Sequence, residues 1–188
     1  MQKYLTARNI FMVLGVIIAL EVVWAGWSLL KPTTPSSVPA GVTQTVPQKV
    51  SLTLSSAKAE YKLGEQFVVD IIIYAPKYVD GADLIITYDP KMLTAKPATL
   101  GKIFSDYPQN TVDASLGRIS ISGITKQKGG VVPNGEFGKL TFVANAAGAT
   151  KIAFDFTSGQ TVDTNVVEST TNKDILESVN ELKLTILP

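Results

Sequence analysis

GEQFVVDIIIYAPKYVDGADLIITYDP, residues 64–90, decides how the rest of the chain is read. Phe67, Val69, Ile71 and Ile73 fall on one face of an extended segment, and Val68, Ile72 and Tyr74 on the other, interrupted only by Asp70. Apolar residues on both faces predict a central strand covered on two sides. Pro76 and Asp80-Gly81 are turn formers that end this strand and reverse the chain. A second strand follows in which Leu84, Ile86 and Tyr88 alternate with Asp83, Ile85 and Thr87, so only one of its faces is apolar. Asp89-Pro90 stops it, because proline brings no N–H to a ladder.

The same alternation recurs on either side. Val50, Leu52 and Leu54 precede the quoted stretch. Ile119 and Ile121, Leu140 and Phe142, Ile152, Phe154 and Phe156, and Leu182, Leu184 and Ile186 follow it, each set interleaved with Ser, Thr, Lys or other polar neighbours. Met92-Leu93 continues beyond the Asp89-Pro90 turn, and Pro97 with Gly101 breaks that region. Gly129-Gly130, Pro133-Asn134-Gly135 and Gly148 supply further turns. No helical period is sustained after residue 31; only Lys173 to Val179 suggests a single helical turn. About 140 residues of one-sided strands predict an all-β, antiparallel two-sheet sandwich spanning residues 49–188.

The N-terminal quarter has a different composition. Residues 10–30, IFMVLGVIIALEVVWAGWSLL, carry Glu21 as their one charge. That length matches a helix crossing a hydrocarbon core about 30 Å thick. Lys3 and Arg8 lie before it, and Trp24 and Trp27 near its far end. These features predict a single-pass anchor with residues 1–9 in the cytoplasm and the C-terminal domain outside the cell. A cleaved signal peptide is the competing reading, with Val23-Trp24-Ala25 as a poor cleavage site. Residues 31–48, KPTTPSSVPAGVTQTVPQ, form a Pro/Thr/Ser-rich linker, extended by Pro32, Pro35, Pro39 and Pro47.

Composition removes several functions. The chain has 188 residues, 17 basic and 16 acidic side chains, and neither cysteine nor histidine. Disulfides, Cys/His zinc sites and His- or Cys-dependent catalysis are therefore ruled out. The near-neutral balance gives nucleic acid no basic surface. Asp70, Asp83, Asp89 and Asp155 are carboxylates, but no pattern marks two of them as an acid–base pair, so no enzyme is expected.

The set Gly64, Phe67-Val68-Val69, Gly81, Leu84, Tyr88-Asp89-Pro90 and Leu93 resembles the opening of bacterial cohesin domains. Gly101-Lys102-Ile103-Phe104, Gly117-Arg118-Ile119-Ser120-Ile121-Ser122, Gly135-Glu136-Phe137-Gly138-Lys139-Leu140-Thr141-Phe142 and the last strand, Leu182 to Leu187, continue the likeness in order. The resemblance implies a nine-stranded jelly-roll sandwich, related to a class of carbohydrate-binding modules. It also implies non-catalytic binding of a dockerin, a small calcium-loaded helical module, on one sheet face. That face would use Asp83–Thr87, Gln109–Asp113, Arg118–Ser122 and Ala153–Thr157, with Asp83, Ile85, Thr87, Ser120, Ser122, Ala153 and Asp155 pointing outward. The segment Ser158 to Leu176 does not align with a dockerin-contacting element.

Three other readings follow from the residues. Asp155, Asp163, Asn165, Asn172 and Asp174 are oxygen donors that could gather a calcium ion, although they match no EF-hand spacing and also suit turns; no metal is assigned to them. Polysaccharide binding would call for a row of exposed aromatics. The domain lacks Trp, and Tyr61, Tyr74, Tyr78 and Tyr107 are scattered, with Tyr88 expected in the core. A structural cell-envelope module without a dockerin is the third.

Overall fold

The computed structural model describes residues 49–188, and the expected cytoplasmic N-terminus, membrane anchor and linker lie outside them. Twelve strands form two sheets among the described residues, and no helix there is long and apolar enough to cross a membrane. The first sheet contains β1 (Ser51–Ser56), β3 (Gln66–Tyr74), β5 (Leu93–Leu100), β8 (Asn134–Ala144) and β11 (Ser178–Val179), in the order β11-β1-β3-β8-β5. The second runs β2-β12-β9-β4-β7-β6, from β2 (Glu60–Lys62) and β12 (Glu181–Leu187) through β9 (Gly148–Phe154), β4 (Val79–Tyr88) and β7 (Arg118–Ile124) to β6 (Asp106–Asp113). The short β10 (Asn165–Glu168) also pairs with β4.

Alternation explains the layering. Leu52 and Leu54 of β1, Val69, Ile71 and Ile73 of β3, and Leu140 and Phe142 of β8 face Leu84 and Ile86 of β4, Ile119 and Ile121 of β7, and Ile152 of β9, all of them fully buried or nearly so. Aromatic rings fill the two ends of this layer. Phe142 stands between Phe67 and Tyr88, while Phe104, Tyr107 and Phe137 meet edge to face with centroids 5.5–6.3 Å apart. Gly123 is needed beside that second cluster, because a Cβ there would lie 2.7 Å from the Phe104 ring.

Several expectations need correction. The two strands of the quoted stretch do not pair: β3 belongs to one sheet and β4 to the other, joined by a crossing at residues 75–78. Asp80 and Gly81 lie inside β4, whose partners there are β10 and β7. Nor is β3 covered on both faces. It is central within its sheet, but Val68 is 43% exposed and Ile72 and Tyr74 are half-buried on an outer face. On that face Asp70 meets Lys139 across the ladder, and the Lys139 ammonium also contacts Glu136. The Asp70 hydrogen bond, followed by that of Glu136, pushes the Lys139 pKa up to about 12.

Pro97 does not end its strand; it sits in a register shift of β5 between Lys96 and Thr99, which spares its missing N–H from the ladder. Residues 173–179 hold no helical turn, and Ser178–Val179 instead pair parallel with β1. β2 also runs parallel to its neighbour β12, so the sandwich is not wholly antiparallel. The expected nine strands are too few, because the described residues also form the short β2, β10 and β11, which the sequence reading did not assign to strands.

Candidate functional site

The outer face of the second sheet collects the residues singled out in the sequence. Along β4, the side chains of Leu84, Ile86 and Tyr88 turn inward, which leaves Asp83, Ile85 and Thr87 pointing out. Register brings the others beside them: Ser122 opposite Asp83, Ser120 opposite Ile85, and Ala153 opposite Thr87. Asp155 follows one residue beyond β9, where its N–H donates to the Ile85 carbonyl (2.8 Å). All seven predicted positions therefore share one surface. Ile85 is its apolar centre, half-buried among short Ser, Thr and Ala neighbours.

The Gln109–Asp113 strand, which the resemblance placed on this face without naming its outward residues, completes it. β6 sets Gln109 opposite Ser122, Thr111 opposite Ser120 and Asp113 opposite Arg118. The Ser122 hydroxyl donates to the Gln109 side-chain oxygen at 3.3 Å. Alternation in DYPQNTVD does not say which of these residues point outward, because β6 is polar on most of its length and shifts register between Asp106 and Gln109. On the other flank Lys151, Glu181 and Lys183 pair at 3.1 Å. There an open groove of about 750 Å³ runs past Thr87, Asp89, Lys151, Lys183 and Glu60.

The rim carries carboxylates, two of them ion-paired with lysines. The Lys151 hydrogen bond, aided by Lys183, holds the Glu181 carboxyl below its usual range. Asp106 is lowered chiefly by Lys126, and Asp113 chiefly by the Ser115 hydroxyl and the Leu116 N–H. These carboxylates stay ionised through mild acid. Tyr61 and Tyr88 are buried in the core and Tyr107 packs on Phe104 and Phe137, so no aromatic row lies on this face.

Residues 158–176 close the edge of β4 that β9 leaves open. Past Ile85 the chain of β9 departs, and β10 takes its place with Asn165 opposite Asp83. Thr164, 0% exposed, bridges the changeover: its hydroxyl accepts from the Ile85 N–H and donates to the Ile85 carbonyl, both at 3.0 Å. The five oxygen donors considered for calcium do not gather as a group. Asp174 is committed to the backbone, accepting from Val166 and Leu176 N–H, and Asn172 occupies a left-handed turn (φ 55°). Asp163 and Asn165 remain together at the changeover.

Comparison with known proteins accords with this architecture. The model of the cohesin domain matches residues 50–185. No curated protein sequence matches the chain. Among solved structures, the cohesin of a type I cohesin–dockerin complex from Clostridium thermocellum superposes with TM-score 0.60 at 13% identity, covering 74% of this chain and 99% of that one. A type II cohesin from the cellulosome of Acetivibrio cellulolyticus gives TM-score 0.61 at 16% identity, over 72% and 95% of the two chains. A type I cohesin from Pseudobacteroides cellulosolvens gives 0.57 at 19%, over 73% and 92%. At such identities the superpositions establish the fold, and the family match covers most of the sequence: this chain belongs to the cohesin family.

Proposed function

We propose that the outer face of β6, β7, β4 and β9 docks a dockerin-type partner, and that the protein is a non-catalytic attachment module displayed at the cell surface. The observation that carries this reading is the convergence of Asp83, Ile85, Thr87, Ser120, Ser122, Ala153 and Asp155 on one face of a cohesin-family domain. Short side chains keep that face open to close approach. The exposed hydroxyls and carboxylates are positioned to orient a partner helix by hydrogen bonding, with Ile85 as the apolar contact. The apolar residues 10–30 and the proline-rich residues 31–48 support a membrane anchor and an extracellular stalk.

The test is direct binding of the full chain, held in mild detergent, to purified type I and type II dockerin modules loaded with calcium. Binding by at least one module, weakened at least tenfold (about 1.4 kcal/mol) by Ile85→Lys in a chain of unchanged melting temperature, is expected. Failure of every module to bind, with the domain folded, would refute dockerin docking and favour a structural envelope role. Removing calcium from the mixture is a necessary control but decides nothing alone, because dockerins lose their fold with their ions. Polysaccharide is the weaker alternative, since the face lacks stacking aromatics.

A further inference from the structure

Two acceptor oxygens at the changeover from β9 to β10 have no protein partner. Asp163 is 7% exposed, and its Oδ1 is buried without a hydrogen bond. Its Oδ2 accepts from the Thr157 N–H, and none of the ion pairs among the described residues includes it. The Oδ1 of Asn165 is likewise buried and unpartnered. The Asn165 amide has a defined orientation, since its Nδ2 donates to the Asp163 carbonyl at 3.2 Å. Reversing the amide would set oxygen against oxygen. Thr164 between them is pinned through Ile85 and through its N–H to the Asp155 carbonyl (2.9 Å). Across the ladder from Asn165, Asp83 adds an exposed carboxylate to the same face.

A buried carboxylate with one backbone donor and no cation is costly unless something positive accompanies it. Water could satisfy two acceptors but would leave the charge uncompensated. The available donors are all oxygen, which excludes a preference for zinc or copper. An amide oxygen, one buried carboxylate and an irregular loop suit calcium, which accepts six to eight oxygens in loose geometry, better than octahedral magnesium. We propose that Asp163 Oδ1 and Asn165 Oδ1 are ligands of a calcium ion bound by this domain itself, with Asp83, opposite Asn165 in the ladder, as the candidate for a further ligand. The ion would brace the β4 edge beside Ile85. Its binding needs no dockerin, so it stands or falls independently of the docking role.

The experiment is calorimetric titration of the metal-stripped full chain, in mild detergent and without any dockerin, with calcium chloride and separately with magnesium chloride. One calcium per chain is expected, with a dissociation constant in the range of about 10⁻⁴ to 10⁻³ M found for weak extracellular sites, and a calcium-dependent rise in melting temperature. Asp163→Asn should weaken calcium at least tenfold and remove most of that rise, while Asn165→Asp, which adds a charge to the site, should retain or strengthen it. Absence of both heat and melting shift up to about 10 mM calcium, some tenfold above that range, would overturn the proposal and leave the two oxygens to buried water. Calcium binding unaltered in a folded Asp163→Asn chain would overturn the assignment equally. Should Asp163→Asn fail to fold, the Asn165→Asp and Asn165→Ala chains decide: unchanged affinity in both would refute the site.

Discussion

Replacing Thr164 by valine tests whether a single hydroxyl completes the β4 edge. The Ile85 N–H and C=O both face the gap where β9 leaves, and the Thr164 hydroxyl meets them at 3.0 Å each. Valine keeps the shape and the buried methyl group but replaces the oxygen by a second methyl. The Ile85 carbonyl would retain the Asp155 N–H at 2.8 Å, so the principal loss is one N–H left without its acceptor. Such a group costs about 1–3 kcal/mol, which sets the expected destabilisation of Thr164→Val at about 2 kcal/mol. In a domain of this size that corresponds to a drop of roughly 6–8 °C in melting temperature. Serine makes the complementary change: it keeps the hydroxyl and loses one buried methyl, at about 0.8 kcal/mol. Equilibrium urea denaturation of the three chains, with equal slopes, gives the order directly. Valine should be worse than serine. The reverse order would show that Thr164 acts by packing alone and would refute the bridging role.

Gly123→Ala should destabilise the fold by about 1–3 kcal/mol, since the new methyl presses on Phe104 and Phe137 from a well-packed cluster; denaturation midpoints check this. Glu181 has a folded pKa below its unfolded value, so its contribution is present above the unfolded value and is lost as pH falls through the folded one. Glu181→Gln should therefore flatten the stability profile between about pH 5 and pH 2, and added salt should do so in the parent chain. An unchanged acid limb in melting scans would refute that assignment. On the docking face, Ser120→Ala should weaken a bound dockerin less than Ile85→Lys does. Their effects should be non-additive in a double-mutant cycle, because Ser120 lies directly opposite Ile85.

How much of this was legible beforehand depends on what alternation encodes. Leu84, Ile86 and Tyr88 against Asp83, Ile85 and Thr87 fixed which side of β4 faces solvent, and the same held for Ile119 and Ile121 against Ser120 and Ser122. The outward residues of the candidate face followed from period two alone. β6 was harder, because Gln109 and Thr111 share their face with no inward apolar rhythm strong enough to define it. The rhythm of β3 misled in the opposite direction, since Val68, Ile72 and Tyr74 are apolar yet partly exposed on the outside of the first sheet.

By itself the sequence determined that the domain is all-β, most of the alternating side chains that enter its core, and, through the order of its glycine and Tyr-Asp-Pro signals, the family it resembles. Only the tertiary structure decided which strand lies beside which. Alternation assigns a face to each strand but carries no information about the neighbour on its edge, and edge pairing depends on backbone N–H and C=O groups that every residue possesses. For that reason β3 and β4, adjacent in sequence, could part into different sheets, and a polar loop could supply β10. Thr164, Asp163 and Asn165 took on their roles in the same way. Their oxygens matter because the fold buries them at the edge of β4, where Thr164 meets Ile85 from 79 positions away in the chain, and no local motif marks that place.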